Sequence, residues 1–140
     1  MSCSHCIVEE RRLVKDFTYW RVELFENQSY LGRCSIVLKR HLEDAFDCTD
    51  EELKELIDVC RKLKAAFSLC FKPDLFNYAF LGNVERHVQL HFVPRYAAPR
   101  SFSEVKFFDD RFGKSYMPAR EFAPPTRILQ ALREELLKGL

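Results

Sequence analysis

Across residues 18–25 the apolar side chains alternate at Trp20, Val22 and Leu24, within a stretch rich in aromatic and β-branched residues. Alternation of period two predicts a strand with one buried face. Asn27, Gln28 and Ser29 supply a turn, and Cys34–Leu38 reads as a second strand ending at Lys39-Arg40-His41. Two strands this close predict an antiparallel hairpin. The pattern then changes. Thr49 is followed three residues later by Glu52, the spacing of a capping box, and Asp50 and Glu51 suit the positive end of a helix. Leu53, Leu56, Ile57, Cys60, Leu63, Phe67 and Phe71 then mark one helical face, and Pro73 stops it. Residues 77–81 predict a third strand, Gly82-Asn83 a turn, and residues 87–93 a fourth strand. Residues 97–125 are broken by Pro99, Gly113, Pro118 and Pro124 and read as irregular, with a short strand at 104–108. A last helix is expected over 126–138, with Ile128, Leu129, Leu132 and Leu136 on its apolar side. Strands and one long helix joined by tight turns predict a single α+β domain over 1–140, with an antiparallel sheet and a C-terminal helix.

Composition narrows the function classes. A chain of 140 residues with 47% hydrophobic content can build a core without staples. The net charge of +1 provides no bulk field for nucleic acid, and no apolar run reaches transmembrane length, so neither partner is expected. The opening residues run directly into Glu9, Glu10, Arg11 and Arg12, unlike a secretory leader, and a cytoplasmic location is expected. Of the six cysteines, Cys34, Cys60 and Cys70 fall in apolar patterns and read as small buried hydrophobes. Cys3 and Cys6 have the spacing of half a tetrahedral zinc site, a redox pair being the other reading.

The densest chemistry lies at residues 87–95, His-Val-Gln-Leu-His-Phe-Val-Pro-Arg. On a strand, His87, Gln89 and His91 share one face, with Val88, Leu90 and Phe92 on the other. Two of the chain's four histidines therefore sit on one strand face.

This run resembles the signature of the histidine triad family, His-x-His-x-His, with Gln89 at the middle histidine. The similarity runs from about Cys3 to Tyr96. It includes Asn27, Leu31-Gly32-Arg33, the stretch from Ile36 to His41, and Asn77 to Leu81. It implies a five-stranded antiparallel sheet carrying one long helix, and a homodimer paired through that helix and a sheet edge. A zinc-binding branch of the family has a Cys-x-x-Cys pair, a histidine after the second strand and the first triad histidine. These correspond to Cys3, Cys6, His41 and His87. His5, between the cysteines, is a substitute ligand or an exposed side chain. Where most relatives have a longer Gly-rich loop before the triad strand, only Gly82-Asn83-Val84-Glu85-Arg86 stands here.

The resemblance also implies a purine nucleotide or nucleoside phosphate as ligand. In the family the middle histidine attacks the α-phosphate and forms a nucleotidyl-histidine. Gln89 cannot do this, but its amide can donate and accept hydrogen bonds. His91 is positioned to hydrogen-bond the phosphate. Asn27 matches a ribose-binding position, although Asn-Gln-Ser is also a good turn by itself. Arg95 and Arg86 flank the triad strand as phosphate or structural residues. Phe17, Tyr19, Trp20 and Phe25 serve a purine pocket or the core. Three functions follow: a nucleotide-binding protein with weak or absent catalysis, an active hydrolase using His91 or water, and a zinc-stabilised interaction module.

Overall fold

A computed structural model of the chain describes residues 3–140; the first two residues of the expected 1–140 domain lie outside that range. Its elements run β1 (Leu13–Asp16), β2 (Trp20–Leu24), β3 (Cys34–Leu38), α1 (Asp50–Cys70), β4 (Leu75–Phe80), β5 (Gln89–Arg95), β6 (Arg100–Phe102), β7 (Val105–Phe107) and α2 (Thr126–Leu137). Five strands form one antiparallel sheet in the order β1-β2-β3-β5-β4.

The strand expected at 104–108 forms β7, but it is not part of this sheet. It pairs with β6 in a separate hairpin within the segment expected to be irregular. Ser103 and Glu104 make its two-residue turn with positive φ at both positions, as a tight hairpin requires. The fifth strand of the main sheet is instead β1. It is four residues long, buries only Val14 and has an irregular register between Leu13 and Lys15, so it carries no alternation to read.

The capping box forms as expected. The Thr49 side chain accepts from the Glu52 amide, and the Glu52 carboxylate accepts from the Thr49 amide. The buried stripe of α1 is rotated from the expected one. Leu56, Leu63, Phe67 and Phe71 are buried, Val59 and Ala66 join them, and Ile57 is 51% exposed. The sheet rather than the helix decides which side is covered. Gly32, with φ +88°, lets the β2–β3 loop pass against Phe67, whose ring a Cβ there would strike.

One face of the sheet presents Trp20, Val22, Ile36, Leu38, Leu90 and Phe92 to the two helices, which answer with Leu56, Leu63, Phe67, Ile128, Leu132 and Leu136. Fully burying one such side chain stabilises by about 1.5–3 kcal/mol. The opposite face carries Arg21, Glu23, Ser35, Gln89, His91 and Arg95, and most of these are buried as well. The turn Ser4–Cys6 covers one end: Arg21 donates to the His5 carbonyl. The segment 108–122 covers the other. Tyr30 Oη donates to the Tyr116 carbonyl at 2.6 Å, and the Gln28 amide donates to the Phe122 carbonyl at 2.8 Å.

Candidate functional site

Two groups of side chains meet on this covered face. The first comes from three separate places in the chain. Cys3 and Cys6 flank the N-terminal turn, His41 follows β3 and His87 precedes β5. Cys3 Sγ lies 3.3 Å from His87 Nδ1, Cys6 Sγ 3.5 Å from His41 Nδ1 and 3.6 Å from His87 Nδ1, and the two Nδ1 atoms are 3.2 Å apart. A zinc ion with bonds of about 2.3 Å to sulfur and about 2.0–2.1 Å to nitrogen has tetrahedral edges of about 3.6 Å between S and N and about 3.3 Å between N and N. These four edges match that tetrahedron, and all four ligand atoms lie within 4.8 Å of one another.

Tautomer chemistry supports the same fit. His87 Nε2 donates to the Leu38 carbonyl at 2.7 Å, which leaves Nδ1 as a bare lone pair facing the cluster. Burial lowers the proton affinity of His87, opposed by that carbonyl. Electron-pair donors that converge in this way can hold a cation between them. Both cysteines are free thiols.

The second group lines a cavity of about 280 Å³ beside the cluster. Its walls include His5, Phe25, Leu81, Gln89, His91 and Met117. Gln89 and His91 face it from alternate positions of β5, as the period of two requires. Gln89 is held at both ends of its carboxamide: Ser35 Oγ donates to Oε1 at 3.2 Å, and Nε2 lies 2.8 Å from His5 Nε2. His91 Nδ1 lies 3.0 Å from the Tyr116 hydroxyl, and its ring meets Phe25 edge-on at 5.4 Å. Burial, then the charge of Arg33, brings the His91 pKa down to about 4, so its ring is neutral at physiological pH. Burial also lowers that of His5, with His87 adding to the effect.

Other residues singled out on the sequence lie elsewhere. Asn27 closes its own turn by accepting from the Ser29 amide at 3.0 Å, and its Nδ2 donates to the Arg120 carbonyl at 3.0 Å. Arg95 is buried and uses its whole guanidinium to bond Asp109, Asn77 and the carbonyls of Arg111 and Lys114. Neither is among the cavity walls. Arg86 is exposed, Trp20 is in the core, and of the four aromatic residues only Phe25 reaches the cavity. Sequence reasoning missed Tyr116 and Met117, which come from the irregular segment without any pattern. It also did not place His5 in the cavity, although the position of that residue between the two cysteines of the Cys-x-x-Cys pair was the available signal.

Solved structures resemble the fold of this chain. A histidine triad protein from Sinorhizobium meliloti superposes with a TM-score of 0.77 at 14% identity, over 94% of this chain and 92% of that one. A zinc-bound histidine triad family protein from Mycobacterium smegmatis gives 0.67 at 17% identity, over 98% and 94%. A diadenosine triphosphate hydrolase from Plasmodium falciparum gives 0.66 at 12% identity, over 94% and 78%. No protein-family model and no curated protein matches the sequence. The likeness establishes the fold: an α+β domain of the histidine triad type, with a five-stranded antiparallel sheet and two helices.

Proposed function

We propose that this chain is a nucleotide-binding protein of the histidine triad kind, with weak or absent turnover because Gln89 stands at the nucleophile position. The observation that carries this reading is the cavity wall. Gln89 and His91 present hydrogen-bonding side chains from one strand face into an otherwise largely apolar space, with an amide where chemistry would need an imidazole. A carboxamide nitrogen has a delocalised lone pair and does not attack phosphorus; it does donate to phosphate oxygen. His91 adds a second polar contact through the ring nitrogen that Tyr116 leaves free. Phe25 and Met117 provide apolar surface for a purine. Asn27 and Arg95 contribute by holding the segment 108–122 beside the cavity.

Cys3, Cys6, His41 and His87 hold one structural zinc in this reading. When bound, the metal cross-links the N-terminal turn to both triad-side strands. Four protein ligands leave no open position, so the ion activates no water.

Calorimetric titration with adenosine and guanosine monophosphate, paired with a turnover assay on the same sample, tests the proposal. Micromolar to millimolar affinity is expected, roughly −8 to −4 kcal/mol, without a trappable nucleotidyl-enzyme. A His91→Ala variant that binds as the parent does would show the phosphate to be placed wrongly. The second reading is an active hydrolase of dinucleoside polyphosphates or nucleoside phosphoramidates. What favours it is the anchored, neutral ring of His91 in the cavity wall, with only Nδ1 engaged by Tyr116. Turnover at about 1–10³ per second would establish it. Retained zinc with no nucleotide affinity would instead favour the interaction module.

A homodimer and a cytoplasmic location belong to the same proposal. Ile57 and Tyr78 stand half-exposed beside a groove of about 320 Å³ between α1 and β4, and β4 is an edge strand. Light scattering at micromolar concentration should give twice the chain mass. Among the described residues no helix is long and apolar enough to cross a membrane, and neither a membrane nor a nucleic acid partner is proposed.

A further inference from the structure

The turn that carries the two cysteines also reaches into the cavity. His5 stands between Cys3 and Cys6, and its Nε2 meets the Gln89 amide nitrogen at 2.8 Å. With Ser35 donating to Oε1, the amide group turns its NH₂ toward His5, whose Nε2 accepts one of its two N–H bonds. The other N–H remains for a ligand. Without that acceptor, a half-turn of the carboxamide would present oxygen in place of a donor, and oxygen repels phosphate. His5 is fixed in turn by its surroundings. Its carbonyl accepts from the buried Arg21, Ser4 donates to Glu85 at 2.7 Å, and the cysteines on either side belong to the metal cluster.

We propose that His5 is a positioning residue of the ligand cavity: it holds the Gln89 amide in the orientation that donates to a phosphate oxygen, and, riding on the metal-binding turn, it makes nucleotide affinity depend on bound metal. The inference rests on the nucleotide-binding reading above. Linkage then requires that nucleotide tighten metal binding by the same factor.

The test titrates adenosine monophosphate into the zinc-loaded protein and its variants. His5→Ala and His5→Phe should each weaken binding about three- to tenfold, the size of one lost hydrogen bond, while zinc stays at one per chain. His5→Gln, whose side-chain oxygen accepts from the amide, should recover most of the loss. One of the two Gln89 side-chain NH₂ protons should be shifted downfield in NMR spectra of the ligand-free parent by its bond to His5, and that shift should be lost in the Ala and Phe variants. Zinc removal should weaken binding in the parent and leave His5→Ala unaffected. Unchanged affinity in His5→Ala, or full recovery by His5→Phe, overturns the positioning role and leaves nucleotide binding intact. A parent that binds no adenosine monophosphate overturns the nucleotide reading, whereas NMR signals independent of residue 5 overturn the His5–Gln89 bond itself.

Discussion

The two faces of the central sheet are both buried, but by different means. The helix-side face is closed by apolar packing, with Phe67 in contact with the rings of Phe71, Phe76 and Phe92. The other face is closed by polar pairing, in which Arg21 meets Glu23 at 3.2 Å and Arg95 meets Asp109 at 2.7 Å. Apolar packing is non-directional and tolerates chemical variation, whereas each polar group under cover needs its partner. The helix side therefore builds the fold. The polar side can arrange donors, acceptors and metal ligands at defined distances, and both candidate subsites lie there.

The sharpest way to break this comparison is Gln89→His. It adds an imidazole to the polar face without touching the helix side. If the cavity is otherwise competent, turnover of a dinucleoside polyphosphate or a nucleoside phosphoramidate should rise by several orders of magnitude, since removing a nucleophile costs about a million-fold in a well-studied protease. A mass increase of one nucleotide on the protein would report the covalent step. An inert variant would move the deficiency to the short loop around Gly82.

Two truncations, one on each face, should cost similar stability with different consequences. Phe67→Ala removes a buried ring and should cost about 3–5 kcal/mol by cavity formation. Arg95→Ala leaves Asp109 buried without its partner and should cost about 3–5 kcal/mol. Only the second should also weaken nucleotide binding, because Arg95 holds the segment that delivers Tyr116 and Met117. Denaturant melts and calorimetric titration of both variants measure the contrast, and equal binding in the two would erase it.

Metal removal comes next. With free zinc at a hundred times its Kd, the bound ion stabilises by about 2.7 kcal/mol, so a chelator should lower the melting temperature accordingly. Hydrogen exchange should rise first in the turn Ser4–Cys6 and not in α1. Metal analysis finding no zinc in protein purified without chelator would remove the site from the comparison.

The smallest expected change concerns His91. Its folded pKa near 4 lies below the unfolded value of 6.5, so the unfolded chain binds more protons between those values. The neutral ring's contribution to stability is fully present above pH 6.5 and is lost as the pH falls through 4. Its ring signals should not move between pH 8 and pH 6 by NMR; a midpoint near 6.5 would place His91 in solvent.

Much of the helix side was legible in the sequence. Ile128, Leu129, Leu132 and Leu136 are all buried as their spacing predicts, and Thr49 with Glu52 caps α1. The alternation of Gln89, Leu90, His91 and Phe92 placed the two polar side chains on one face. The polar side was legible only where a motif marked it. Cys3, Cys6, His41 and His87 come together as the family resemblance implied, but the Arg120 carbonyl that Asn27 bonds lies 93 residues away, and the partners of Arg95 lie 14 to 19 away. No local pattern encodes such pairings.

Sequence periodicity determined which residues share a strand or helix face, because side-chain direction repeats with the backbone geometry of each element. It therefore determined the α+β class, the hairpin and the facing pair Gln89 and His91. Only the tertiary structure decided what covers each face. It rotated the buried stripe of α1 toward the sheet, replaced the strand at 104–108 by β1 at the sheet edge, and laid His5 and Tyr116 against the triad strand. Those outcomes depend on contacts between segments distant in the chain, where the free energy of burial and of paired polar groups is settled only when the segments meet.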